Sequence, residues 1–286
     1  MKRALLALAA AAAILSACDD DDDLTGLDQL VGRRIYAVDV DNNLILFGSG
    51  NPGTISNSTP ITGLAAGELV VGIDFRPTVT PGSDSTKLGA LYGLTSASRL
   101  VTIDTATAVA TVVGSLDTGS GPFILSGTFF GVDFNPTVDR LRVHSDTRQN
   151  LRLNPNTSPV IVIVDTDLAF VAGDANETAT ASVVANAYTF AVFGGTTSLL
   201  TIDSGVDVIA LSGNPNAGTL ATIAALPINA GGNAGFDIAS DGTAVVALAG
   251  AATRSNFYTV TGLPTSATFT LVGTVDTVLR ALAIAP

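Results

Sequence analysis

The sequence predicts an all-β fold, a β-propeller of five four-stranded blades closed by the C-terminal strand. Three observations carry that expectation. One phrase recurs, as "GIDFRP" at 72–77, "GVDFNP" at 131–136 and "GFDIAS" at 235–240, with weaker copies "SVVANAY" at 182–188 and "ALAIAP" at 281–286. The copies start roughly 45 to 60 residues apart, the period of propeller blades. The composition suits short strands and tight turns, with 47% apolar residues, 29 Gly, 12 Pro and only 13% charged residues. Beyond the first residues no segment sustains the 3.6-residue apolar period of a helix.

Taken in order, residues 1–17 read as a lipoprotein signal peptide. Lys2 and Arg3 precede an apolar run from Ala4 to Leu15, too short to span a bilayer, which needs about 20 residues. "LSAC" (Leu15, Ser16, Ala17, Cys18) resembles a bacterial lipobox. Cys18, the only cysteine of the chain, is therefore expected to be lipidated and to become the mature N-terminus. A lone cysteine excludes a disulfide framework and a CxxC site. Residues 18–32 form an acidic tether, in which Asp19 to Asp23 repel one another and stay extended.

Residues 33–286 form the propeller domain. "RRIYAVDVDNNLILFG" and "GTISNSTPITGL" supply three strands. After "GIDFRP" come "ALYGLTS", "RLVTID" and "VATVVGSL"; after "GVDFNP" come "DRLRVHS", "QNLRLNP" and "VIVIVD". The third copy is followed by "SLLTID" and "GTLATIAAL", and the fourth by "GTAVVALA", "NFYTVTG" and "FTLVGTV". These are β-branched, Leu and aromatic runs bounded by Gly, Asp, Asn and Pro. The last strand, in "VLRALAIAP", has no followers, and the first blade lacks a strand. Joining the two closes the ring and leaves no edge unpaired.

The first strand of each blade lines the channel of a propeller. Alternation places Gly72 and Asp74 on one strand face and Ile73 and Phe75 on the other. Asp74, Asp133 and Asp237 are thus candidates to ring one channel mouth. The competing expectation is that each caps a turn or pairs with an Arg of its own blade.

The net charge of −12 argues against a nucleic-acid partner, whose phosphates require a basic surface. Several chemistries are excluded by residue type. A Ser–His–Asp or Cys–His site needs a histidine base, and His144 is the only histidine. A zinc site needs three or four N/S ligands. No nucleotide-binding glycine motif occurs, and "DVDNNL" has Leu44 where a calcium loop needs Gly. No cofactor and no metal is expected. Paired carboxylates for glycan hydrolysis remain an alternative, although the chain has no tryptophan to serve as a sugar platform.

The segment "GVDFNPTVDRLRVHSDTRQNLRLNPNT", residues 131–157, concentrates cations in an acidic chain. Arg140, Arg142 and His144 share one strand face. "SDTRQN" turns the chain at Arg148, and Arg152 lies on the returning strand. The five are candidate contacts for an anionic ligand, Arg148 foremost among them because it sits in the turn. The alternative is that the arginines pair with Asp133, Asp139 and Asp146 to lock two blades together.

The same segment closely resembles the signature of a bacterial family known as domain of unknown function 4394. "GIDFRP", "LYGLTSASRLVTID", "ATVVGSL", "GFDIASDG" and "VLRALAIAP" extend the resemblance over residues 33–286. It implies a secreted bacterial protein and no assigned activity or site residues. The expected whole is a lipoprotein of the bacterial cell envelope, extracytoplasmic and held on the inner or outer membrane by its N-terminal lipid. It presents a non-catalytic module that binds a protein, small-molecule or glycan ligand. The alternatives are an extracytoplasmic hydrolase using the channel-mouth Asp residues and a purely structural envelope protein.

Overall fold

Turn chemistry and buried alternation set the strands of this chain, seen in a computed structural model that describes residues 30–286. The signal peptide, Cys18 and the Asp19–Asp23 run lie outside the described residues. The first strands are β1 (Arg34–Asp39), β2 (Asn43–Gly48) and β3 (Ile55–Pro60). Asp39 turns the chain from β1 into β2, its Oδ1 accepting the amides of Asp41 and Asn43 at 3.0 and 2.8 Å; such Asx turns are why "DVDNN" ends one strand and starts another. Next come β4 (Val70–Phe75), β5 (Leu91–Thr95), β6 (Arg99–Ile103) and β7 (Ala110–Asp117). They are followed by β8 (Phe130–Asn135), β9 (Arg140–Ser145), β10 (Asn150–Asn154) and β11 (Val160–Val164).

The short β12 (Ala169–Phe170) precedes β13 (Val183–Tyr188), β14 (Leu199–Asp203), β15 (Val208–Ser212) and β16 (Thr219–Ala225). The last strands are β17 (Ala234–Ile238), β18 (Ala244–Leu248), β19 (Ser255–Thr261), β20 (Thr268–Val275) and β21 (Leu279–Ile284). The only helical elements among the described residues are two 3-10 turns, Ser85–Lys87 and Pro215–Ala217.

The protein is all-β and propeller-like. Strands run as successive antiparallel meanders, and β21 pairs with β1, Ile284 opposite Ile35. The inner strands β4, β8, β13, β17 and β21 touch one another in that order, and β21 returns to β4. Burial falls outward along each meander: every residue of β4, β13 and β17 is buried, whereas β3 and β20 are largely exposed. The apolar clusters lie between neighbouring meanders. Tyr36 meets Phe75, Tyr92 meets Phe134 and Phe47 meets Phe257, edge to face with centroids 5.2–5.6 Å apart. Each of these three pairs joins two meanders, so edge-to-face packing between meanders helps to hold the ring.

Two features depart from independent four-stranded sheets. The outer strands β7 and β11 pair in parallel, Val160 opposite Leu116, which fuses two meanders into one eight-stranded sheet. The short β12 adds in parallel to β16, placing Leu168 and Phe170 in a buried cluster. Both arrangements cover an outer edge that would otherwise offer unpaired backbone groups.

Candidate functional site

The repeated Gly-x-Asp phrase has a packing reason at its first position. A Cβ on Gly131 would lie 2.6 Å from the Ala185 carbonyl carbon, and one on Gly72 would lie 2.3 Å from Val132 Cγ2. One on Gly235 would lie 2.6 Å from Leu282 Cγ. Each glycine thus lets its inner strand press against the next one in the ring.

Two residues on, the Asp side chains reach across the gap that this closeness creates. Asp74 Oδ2 accepts the Phe134 amide at 2.7 Å, and Asp237 Oδ2 accepts the Ile284 amide at 2.6 Å. Asp133 accepts the Tyr188 amide in the same way. The two amides left over are taken in place: Ile238 donates to Asp237 Oδ1 at 2.6 Å, and Phe75 donates to Asp74. Five equivalent amides therefore share three carboxylates. Ala187 and Ala283 stand where the other two inner strands would carry Asp.

The three carboxylates come together. Their oxygens lie within 4.8 Å of one another, and all three residues are buried. No salt bridge among the described residues reaches any of them, so they are not paired with Arg. They form the floor of a cavity of about 250 Å³ at the C-terminal ends of the inner strands. Phe75, Phe134, Tyr188 and Phe190 wall it, and Pro77, Pro136, Pro286 and Arg33 stand at its rim.

Burial drives the electrostatics of this floor. It pushes the Asp74 and Asp133 carboxyls well above the ordinary range, and repulsion among the three acids pushes them further. Asp237 is pushed up to about 6 by burial, and its two amide donors pull it back. Charge here is relieved either by protons held between the acids or by a cation brought to them. Among the described residues this is the one grouping of three metal-ligating side chains.

Most of the cationic hairpin lies away from the cavity floor, β9 running away from the cavity end, although Arg142 Nε donates to the Tyr188 hydroxyl of the cavity wall at 3.3 Å. Arg142 is buried: its Nη1 donates to Asp165 Oδ2 and to Asn150 Oδ1, each at 2.7 Å, and its Nη2 donates to Asn216 Oδ1 at 2.8 Å. Arg152 grips the same Asp165 through Nε and Nη2 at 2.7 and 2.8 Å. Arg148 is half exposed and donates to Asp167 Oδ2 at 2.8 Å. Arg140 donates to the Asp139 carbonyl at 2.8 Å. The partners are thus Asp165 and Asp167 rather than Asp133, Asp139 or Asp146, because β10 and β11 run side by side and bring their ends to the hairpin.

His144 is fully buried, its Nε2 3.2 Å from Asn150 Oδ1. Burial and the neighbouring Arg142 charge push it down to about 3, so it stays neutral.

A second buried ion pair escapes a reading of the sequence. Arg76 Nε donates to Asp139 Oδ1 at 2.7 Å, and its Nη2 reaches both the second oxygen of Asp139 and, at 2.8 Å, Asn156 Oδ1. Neither side chain is exposed. Asp139 also accepts from the Thr80 amide and hydroxyl at 3.1 and 2.9 Å, tying the loop after β4 to the next meander. The only sequence signal is an Arg directly after "GIDF" and an Asp before "RLRV", which nothing local connects.

Comparison with known proteins gives the following. No curated protein matches the chain. A protein of unknown function from Bacteroides caccae is 11% identical with a TM-score of 0.40, covering 86% of this chain and 73% of that one. The β-propeller domain of Cps50 (Swd1) from Myceliophteria thermophila is 11% identical with a TM-score of 0.40, covering 84% and 71%. The Dos1 propeller is 9% identical with a TM-score of 0.42, covering 85% and 63%. A family model, described as domain of unknown function (DUF4394), matches residues 43–285.

Proposed function

Because the chain belongs to the DUF4394 family, whose description names no activity, its role rests on its own residues, and we propose a non-catalytic binding module. In this reading the meanders are the five blades of a propeller. An acylated Cys18 and the acidic tether hold it on an extracytoplasmic face of the bacterial cell envelope. The cavity at the channel mouth is the ligand seat.

The observation that supports it is the convergence of Asp74, Asp133 and Asp237 from three meanders on one cavity with aromatic walls, none of them neutralised by an Arg. Such a seat suits a compact ligand that brings a positive charge or several hydrogen-bond donors to the floor and covers the Phe75, Phe134 and Tyr188 walls with its body. Both oxygens of Asp237 already accept amides, which favours holding a ligand over transferring protons to it.

Thermal unfolding of the purified protein with calcium chloride, putrescine or glucosamine tests the seat. At least one of these is expected to raise the Tm of the wild type and to leave Asp133→Asn unmoved. Equal shifts in both proteins, or none in either, would remove the seat. Palmitate labelling that disappears in Cys18→Ala tests the anchor.

One observation favours a hydrolase instead. Asp74 and Asp133 are buried acids that repel each other, as general acid and base pairs often do. Release of reducing sugar from envelope glycans, lost in both Asp74→Asn and Asp133→Asn, would establish that reading.

A further inference from the structure

Apolar clusters fill most seams between neighbouring meanders. One lies between β4–β7 and β8–β11, one between β13–β16 and β17–β20, and two flank the β21–β1–β2–β3 sheet. The seam between β8–β11 and β13–β16 differs. Leu168 and Phe170 cover its outer part, and nearer the axis it is polar. Gly131, His144 and Asn150 are register partners and share one sheet face with Arg142. That face meets β13, since a Cβ on Gly131 would lie 2.7 Å from the Asn186 backbone nitrogen. On the other side, Tyr188, Leu199 and Ser212 are register partners and share a face with Asn186. That face meets β9, since Arg142 Nε donates to the Tyr188 hydroxyl.

Among the described residues, this seam gathers buried polar atoms that no protein group bonds: His144 Nδ1, Asn186 Oδ1 and Nδ2, and Ser212 Oγ. The three residues are at most 3% exposed, and buried polar atoms left unbonded are costly. What they need follows from their neighbours. Asn150 Nδ2 donates to the Thr166 and Pro215 carbonyls at 2.9 and 2.7 Å, so Asn150 Oδ1 is the atom that faces His144 Nε2 at 3.2 Å. That oxygen accepts, so Nε2 carries the ring proton, and Nδ1 of the neutral ring is an acceptor in want of a donor. Asn186 brings donors and an acceptor, and Ser212 brings one of each. A cation would be repelled by Arg142, and an anion by the His144 and Asn186 acceptors. Water both donates and accepts, and so suits the set. Space for it adjoins Asn186, which with Gly131 and Ala185 lines an axial void of about 10 Å³, close to the volume one water needs.

We propose that the seam between β9 and β13 is an internal hydration site, in which ordered water bridges His144 Nδ1, the Asn186 side chain and Ser212 Oγ. The water donates to Nδ1, exchanges hydrogen bonds with the Asn186 amide and joins the two meanders where an apolar cluster joins the others. This gives the unique histidine a role that needs neither charge nor proton transfer: it is a fixed acceptor. The site borders the cavity, because Tyr188, a wall residue, lies two positions from Asn186 on the same face. It does not depend on what the cavity binds.

A high-resolution crystal structure of the purified protein tests this directly. Electron density for water is expected at about 2.7–3.2 Å from His144 Nδ1 and from an Asn186 side-chain atom. A seam without such density, or one in which Asn186 Nδ2 bonds His144 Nδ1 in place of water, overturns the proposal. Magnetic relaxation dispersion of the solvent counts long-lived internal waters in solution, free of any lattice. The count is expected to fall by at least one from the wild type to His144→Phe/Asn186→Leu, which removes the acceptor and the amide together. An equal count in that variant, shown to be folded by a cooperative thermal unfolding curve, also overturns the proposal. Should the variant not fold, the density in the wild type decides alone.

Discussion

The Phe134 amide donates to Asp74 Oδ2 at 2.7 Å, from one inner strand to the side chain of its neighbour. Truncation to Asp74→Ala leaves that amide buried without an acceptor. A loss of about 2–3 kcal/mol is expected in denaturant unfolding. Asp133 serves one amide, and a side-chain carbonyl can take over that role. Asp133→Asn should therefore cost less than 1 kcal/mol, or stabilise, because it removes one of three repelling charges.

The same acids give stability a definite pH slope. Asp237 is raised from 3.8 to about 6, and burial and mutual repulsion raise Asp74 and Asp133 as well. Between about pH 4 and 6 the folded protein therefore holds more protons than the unfolded chain. Stability from these groups is complete below pH 4 and is lost as pH rises through their folded values. Glu68 acts oppositely. Hydrogen bonds from Arg99 hold it down to about 2, and its contribution is lost as pH falls from about 4 toward 2. Thermal unfolding should show a maximum near pH 4–5 and a lower Tm at pH 8, with a shallower fall in Asp237→Asn. A Tm that rises steadily from pH 5 to pH 8 would contradict the buried-acid floor.

Two glycines distinguish side-chain from backbone obstruction. Gly72→Ala meets the Val132 side chain, whereas Gly131→Ala meets the Ala185 and Asn186 backbone. Both should destabilise, by about 1–3 kcal/mol. Adding Val132→Ala should restore part of the loss in Gly72→Ala and none in Gly131→Ala, as read by unfolding midpoints of the single and double variants.

The Arg76–Asp139 pair is fully buried and hydrogen-bonded on all sides. Asp139→Ala strands the guanidinium and should cost about 3–5 kcal/mol. Arg76→Met/Asp139→Leu, which strands no charge, should be less harmful than Asp139→Ala alone. A double variant as unstable as Asp139→Ala alone would argue that the pair is net stabilising over an apolar replacement.

How much of this was legible follows from how local each signal is. The inner strands could be read because close packing demands Gly and the next strand's amide demands an acceptor two residues later, so the phrase repeats. The pairing of β21 with β1 followed from a surplus strand at one end of the chain and a missing one at the other. The parallel pairing of β7 with β11 leaves no mark, since the edge bonds use backbone alone. The partners of the acids were hidden for the same reason: an amide has no sequence signature. Asp165 could not be assigned to Arg142 and Arg152 without knowing how β11 returns beside β10. His144 drew attention by being unique, but burial rather than chemistry sets its state, and NMR titration should find its ring neutral from pH 8 down to about 4.

The clasp between Asp237 and the Ile284 amide has a consequence in time. Pairing β21 with β1 joins segments from opposite ends of the domain, a contact of very high order that forms late in folding. The cavity floor depends on that same last strand, since Ile284 holds one of its three acids. A chain still being made, or one that has lost its final residues, can build most of its sheets and yet own no cavity. In the proposed binding reading, ligand capture would thus report that the whole ring has been assembled.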